Sequence, residues 1–316
     1  MIHRETRQFG RLASESGAVA VIVALLMVVL VGMTALVVDV GQMHLARRQM
    51  VNAADAAALA GAQELALGNA AGVAGLGSQY AIDNGSDPDL TVVEVDGSRV
   101  VASTGTNVEY GFARIFGLTD GDVKARAVAL VGPVGAMEGL RPIAFREEEY
   151  QLALDDPDTE LLGKHEVGSG NWGALDFDGL GTYKALFSNP NRFDDHLRDG
   201  WPRSVAIDDP NVFSNTGISM FKNKAPETAM LELEGQDIYV PIVSGSVTGT
   251  GWLEVVGFAK INVVDFVPAD EVGPDGVKSK DPRLFIRFIE TVVTGPDGFV
   301  DPTAVDFGLR TWDLVE

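Results

Sequence analysis

The chain holds four histidines, His3, His44, His165 and His196. His165 precedes Glu166, and His196 follows Asp194 and Asp195. A carboxylate beside an imidazole can orient it as a general base. Such a base needs a placed nucleophile, and no G-x-S-x-G elbow occurs. Cysteine is absent, which excludes disulfides, thiolate zinc sites and cysteine nucleophiles. No two histidines stand at the H-x3-5-H spacing of a zinc ligand pair. Asp155-Asp156-Pro157-Asp158 and Asp176-Phe177-Asp178-Gly179 offer carboxylate oxygens of the kind Ca²⁺ takes. Neither has the EF-hand pattern, and Asp is a common turn former. Arg146-Glu147-Glu148-Glu149 reads as a solvated charge run. His196, in NPNRFDDHLRDGWP, reads as part of a short solvent-facing helix. No Walker motif is present, so ATP-driven work falls to a partner. These residues point away from an enzyme and call for no cofactor and no metal.

The elements that carry these residues are strands. RPIAF (141–145), QDIYVPIVSG (236–245), GWLEVVGFAKINVVDFV (251–267) and PRLFIRFIETVV (282–293) are short apolar runs between Gly, Pro, Asn and Asp clusters. Their Val, Ile and Phe content predicts an antiparallel β-domain, with the third run as a central strand pair. Asn171-Trp172-Gly173 predicts a loop anchored by a buried Trp, or else a contact surface for a partner. Composition shifts before this region. Residues 39–132 carry 6 basic and 11 acidic groups, and residues 133–316 carry 15 and 32. Of 14 prolines only Pro88 lies before residue 133. A domain boundary is expected near Gly132–Pro133. The formal net charge of -21 repels phosphate backbones and excludes nucleic acid as a partner.

Ala18 to Val38 is an uncharged apolar stretch of 21 residues. As a helix it spans ~31 Å, the thickness of a bilayer's hydrocarbon core. It is longer than the core of a signal peptide and more uniformly apolar than a buried helix. A transmembrane helix is therefore expected, with residues 1–17 inside and the acidic C-terminal part outside. Positive charge flanks both ends, Arg4, Arg7 and Arg11 before and Arg47 and Arg48 after, so orientation rests on the large exported tail.

Residues 42–67 are Ala-rich and free of Pro, so the helix should run on to Leu67. Small residues recur at Ala54/Ala58 and Ala57/Gly61, which permits close approach of another helix or of the chain's own sheet. Residues 68–85 read as a Gly-broken helical patch. TVVEVDGSRVVAS is a hairpin signal with its turn at Asp96-Gly97. FARIFGL (112–118) reads as a short amphipathic turn, and DVKARAVALVG (122–132) as a strand.

The segment 16–63 opens its span with Gly-Ala-Val-Ala-Val and ends it with Val-Asp-Val-Gly (38–41). Arg-Arg comes next, then Asn-Ala-Ala-Asp-Ala-Ala-Ala-Leu-Ala-Gly-Ala (52–62). In these marks it resembles the N-terminal region of TadE/TadG-like proteins of Flp (Tad) pilus assembly. FARIFG…ARAVALVG (112–132) is similar to the next segment of that family, and GNWGALDFDG (170–179) to a motif in the C-terminal parts of some members. Pilin-like relatives are cut after a Gly, with Glu as the fifth mature residue. Here Gly17 is the candidate, but the fifth residue after it is Ile22. That departure favours the anchored TadG-like group.

The resemblance implies an α+β chain whose long N-terminal transmembrane helix leads into a small pilin-like α/β unit and then a mainly antiparallel β-domain. The expected division is a cytoplasmic segment 1–17, a span 18–38, a TadG-like helix extension and small sheet 39–132, and an acidic extracytoplasmic domain 133–316. The implied role is a single-pass inner-membrane assembly component that contacts other Tad proteins, with helix packing into a homo- or hetero-oligomer. Gly17, Ala18, Gly32, Asp39, Ala54, Asp55, Ala57, Ala58 and Gly61 are the candidate span and packing residues. Asn171, Trp172 and Gly173 are the candidate contact surface for a pilus or membrane partner. The alternative is a membrane-tethered binding module or hydrolase acting on envelope glycans, in which paired carboxylates would face a groove.

Overall fold

The structure is a computed structural model that describes residues 12–156, 165–168, 170–177, 190–210, 212–214, 217–245, 247, 251–293 and 298–315. It is α+β. Helix α1 (Leu12–Ala66) is continuous for 55 residues. No Pro interrupts it, and Ala dominates its outer half. Helix α2 (Val73–Asp83) folds back onto it.

Five strands lie along the path of the first sheet. They are β1 (Val92–Asp96), β2 (Arg99–Glu109), β3 (Asp120–Met137), β15 (Leu309–Leu314) and β13 (Thr291–Val292), in that order. β1 and β2 form the expected hairpin: Asp96 pairs with Arg99, and Gly97 takes φ 61° in the turn. β14 (Gly298–Val300) and β7 (Val205–Ala206) pair with the far end of β3.

The second sheet holds β4 (Ile143–Arg146), β5 (His165–Glu166), β6 (Trp172–Asp176), β8 (Phe213–Ser214), β9 (Asp237–Ser244), β10 (Gly251–Trp252), β11 (Glu254–Val267) and β12 (Arg283–Ile289). Their order across it is β10-β8-β6-β4-β9-β11-β12-β5. Pairing is antiparallel throughout except for β4–β9 here and β13–β15 in the first sheet. The run expected as a central strand pair is mostly one strand, β11, bent by register shifts at Val255/Gly257 and Val263/Asp265. Helices α3 (Glu147–Asp155), α4 (Pro190–Asp199) and α5 (Lys224–Glu232) accompany this sheet.

The break in composition at Gly132–Pro133 falls inside β3, not in a linker. β3 starts beside β2 and ends in a core shared with the second sheet, where Val134 and Met137 cluster with Leu175, Val243, Phe258 and Leu309. The chain's last strand then returns to β3. A second core lies under α1. Met50, Ala53, Ala54, Ala57, Ala58, Ala62 and Ala66 pack with Val73, Val93, Val100 and Ala127. The third, around Phe145, Trp172, Phe221, Ile242 and Phe266, fills the second sheet's helix-covered face.

Candidate functional site

Among the described residues, one helix is long and apolar enough to cross a membrane, and it is α1. Its two halves meet different surroundings. From Gly17 to Val38 every residue is exposed except Ala35; Gly17, Ala18 and Gly32 lie on this exposed half, and both glycines have open space around them. From Met50 onward one face is buried at positions 50, 53, 54, 57, 58, 60, 61, 62 and 66, mostly the three-and-four spacing of a helix against a sheet. The small residues are explained there. A Cβ on Gly61 would lie 2.8 Å from Val100 Cγ1 and 3.0 Å from Val73 Cγ1. Ala54, Ala57 and Ala58 are fully buried against the chain's own sheet and α2. Of the two surfaces these small residues could meet, another helix or the chain's own sheet, it is the chain's own sheet and α2 that cover them here. Asp55, half-buried, lies beside that face. Polar ties fix the register. Thr104 Oγ1 donates to the Met50 carbonyl at 2.8 Å, Gln49 Nε2 to the Asn84 carbonyl at 3.2 Å, and Arg47 to the Lys124 carbonyl.

Between the two halves sits Asp39, the acid of Val-Asp-Val-Gly and the first charge after the apolar stretch. It is buried, and its carboxylate is a clamp. Oδ1 accepts the Gly111 N–H at 2.9 Å; Oδ2 accepts Phe112 at 3.0 Å and Ala113 at 2.7 Å. Three consecutive backbone donors are satisfied by one side chain, at the start of a 3₁₀ turn, Ala113–Phe116. The loop so held exposes Phe112, Ile115, Phe116 and Leu118. Sequence reasoning singled out Asp39 but not its partners, which lie more than 70 residues away. The signal was there in the apolar density of FARIFGL.

The second cluster belongs to the acidic domain. Glu149, expected in a solvated charge run, is fully buried. Its Oε1 lies 2.6 Å from His165 Nε2 and accepts the Gly168 N–H at 3.1 Å; its Oε2 accepts from Asn171 Nδ2 at 2.6 Å. His165 Nδ1 lies 2.6 Å from Asp156 Oδ2. Burial works against a charged imidazole, but the hydrogen bonds and charges of Glu149 and Asp156 outweigh it, so the His165 pKa is raised. Glu166, expected as the partner of His165, instead grips Arg283 at 2.5 and 2.6 Å. Arg283 also holds Asp275, whose carboxyl stays well below the usual range because of that guanidinium. Asn171 is spent on Glu149 and Arg146. Trp172 and Gly173 lie buried in β6, with the indole 5.0 Å from the Phe221 ring. Of the two readings of 171–173, the buried Trp is what the structure shows, in a strand and not a loop, while Asn171 stays partly exposed. His196 is half-buried and rests on Trp201 at 4.8 Å, against the solvent-facing helix expected for it. Of the acidic turns weighed for Ca²⁺, Pro157, Asp158, Asp178 and Gly179 lie outside the described residues.

No curated protein and no solved structure matches the chain. A family model described as "Putative Flp pilus-assembly TadE/G-like" matches residues 17–64. The match takes in the bare apolar part of α1 from Gly17 onward and ends within its sheet-bound half. Over residues 17–64 the N-terminal helix is similar to that family, and it is the helix long and apolar enough to cross a membrane.

Proposed function

We propose that the protein is a membrane-anchored structural component of a Flp/Tad-type pilus-assembly system. The observation that carries this reading is the division of α1. Its first half is apolar and bare, with nothing of the described chain covering it, while its second half is built into the sheet. A water-soluble protein would not leave so large an apolar surface uncovered; a bilayer covers it. The family match spans both halves and links the anchor to pilus assembly. In this reading the N-terminus stays in the cytoplasm, α1 crosses the inner membrane, and the acidic β-rich part projects into the periplasm. It acts there by contact with other Tad proteins, not by catalysis. The His165–Glu149–Asp156 cluster, in which His165 and Glu149 are buried, ties β5, β6 and α3 together. Because the face at Ala54, Ala57, Ala58 and Gly61 is occupied, partners are met by other surfaces.

The test is genetic and biochemical together. In the cell that encodes the chain, its deletion should abolish surface pili and the full chain should restore them. A version in which Leu25, Val28 and Val29 become Asp should leave the membrane pellet after carbonate washing and fail to restore them. Normal piliation after deletion would reject the assembly role; a carbonate-soluble wild type would reject the anchor.

A further inference from the structure

We infer that the loop Phe112–Leu118 is a second membrane contact, seated in the outer interface of the bilayer beside the point where α1 emerges. The inference rests on the reading of Ala18–Val38 as the span. Four large apolar residues occur within seven positions, and all are exposed: Phe112 43%, Ile115 80%, Phe116 83% and Leu118 59%. Monomeric proteins seldom display such a cluster without a partner. Its place on the molecule identifies the partner. Asp39, one residue beyond the uncharged run, holds the Gly111, Phe112 and Ala113 N–H groups. Ala35, one helical turn further into the span on the same face, is the one buried residue between Gly17 and Val38. The 3₁₀ turn packs directly on α1. The loop is therefore tied at the exit of the span, on the face whose burial reaches a turn below it, so its apolar side chains continue the surface that the lipid covers. Arg114 is paired with Glu109 at 2.6 Å in solvent, leaving the tip residues Ile115 and Phe116 as the wedge. Interfacial segments sit about 5–10 Å into the headgroup and acyl boundary, a depth that one helical turn of about 5.4 Å supplies. With a net charge of -21 the protein gains nothing from anionic headgroups, so the contact is apolar in character. Two attachment points also fix the orientation of the acidic part above the membrane, which a lone helix would leave free to rotate.

The chain has no cysteine, so single sites report without background. The full chain is reconstituted at high dilution in vesicles of phosphatidylethanolamine and phosphatidylglycerol. It carries a nitroxide at Ile115→Cys, Phe116→Cys, Val29→Cys in the span or Val272→Cys on the exposed β-domain. Collision with oxygen reports lipid, and collision with a water-soluble nickel chelate reports solvent. The expected result is a deep signal at 29, an aqueous one at 272, and interfacial depth at both 115 and 116. An aqueous signal at 115 and 116 with 29 still deep overturns the inference and leaves the anchor standing. An aqueous signal at 29 removes the anchor and the inference with it. Shielding at 116 that appears only at high protein density makes a second copy the occupant, and equally overturns it.

Discussion

His165 serves two carboxylates at once. Both ring nitrogens lie 2.6 Å from a carboxylate oxygen, one of Glu149 and one of Asp156. A neutral imidazole has one N–H and can satisfy only one of them; the imidazolium donates to both. Burial disfavours that charge, the two acids restore it, and the net pKa lies above its ordinary value. A histidine that binds its proton more tightly in the folded state adds stability below its unfolded pKa, about 6.5. That contribution is lost as pH rises through the higher folded value. The full chain in detergent should therefore lose more melting temperature between about pH 6 and about pH 9 than its His165→Gln variant. Equal losses in the two proteins would mean that the ring is neutral in the fold. Sequence showed His165 beside Glu166 and hid this arrangement, because Glu149 stands in a run of four charges that local pattern places in water. Only the return of β5 and β6 onto α3 brings the three groups together.

At the level of elements, the close approach of α2 to α1 and the sheet depends on Gly77 of α2 and not on Gly75 of the same helix. A Cβ on Gly77 would lie 2.8 Å from Val93 Cγ1 and 3.0 Å from the backbone carbonyl oxygen of Ala57. A Cβ on Gly75, half a turn earlier, would meet nothing within 4 Å. Alanine gains up to about 1 kcal/mol of helix propensity over glycine at either place. At Gly77 overpacking against a stiff Val and a backbone atom costs ~1–3 kcal/mol and wins. Gly77→Ala should lower the unfolding midpoint and Gly75→Ala should hold or raise it, read by urea titration of the full chain in one detergent. Two stabilising substitutions would show that α2 can slide on α1. Periodicity and Gly content made α1, α2, the hairpin and the first half of β3 legible in the sequence. The shape of the face was not legible. Small residues at helical spacing state that something comes close, and do not state whether it is another molecule or the chain's own Val73, Val93 and Val100.

Across the whole molecule, the end of the chain completes its beginning. β15 pairs with β3 over five positions, from Arg310–Pro133 to Leu314–Ala129, and packs against α1 as well. Leu309 joins the core that holds Val134 and Met137. Composition changes at Gly132–Pro133 because β3 passes there from a small sheet under an Ala-rich helix to a region of turns and prolines, with no interruption of the strand. Residues near 300 carry no local mark that they belong beside residue 130; that pairing is a property of topology. Its energetic weight is large on the scale of a domain. Burying Leu309 contributes about 1.5–3 kcal/mol, and each ladder hydrogen bond a further ~0.5–1.5, against a total stability of about 5–15 kcal/mol. A fragment of residues 39–132 made without the span should therefore lack a cooperative melt and bind a hydrophobic dye. Residues 39–137 joined by a flexible linker to 298–315 should recover the cooperative transition, monitored by circular dichroism. A sharp melt in the shorter fragment would show that the helix, α2 and three strands suffice. In that case the anchor unit and the acidic part fold independently, and a load on the acidic part need not reach the membrane through β3. Failure of the short fragment together with rescue of the long one would make β3 and β15 the mechanical link between them.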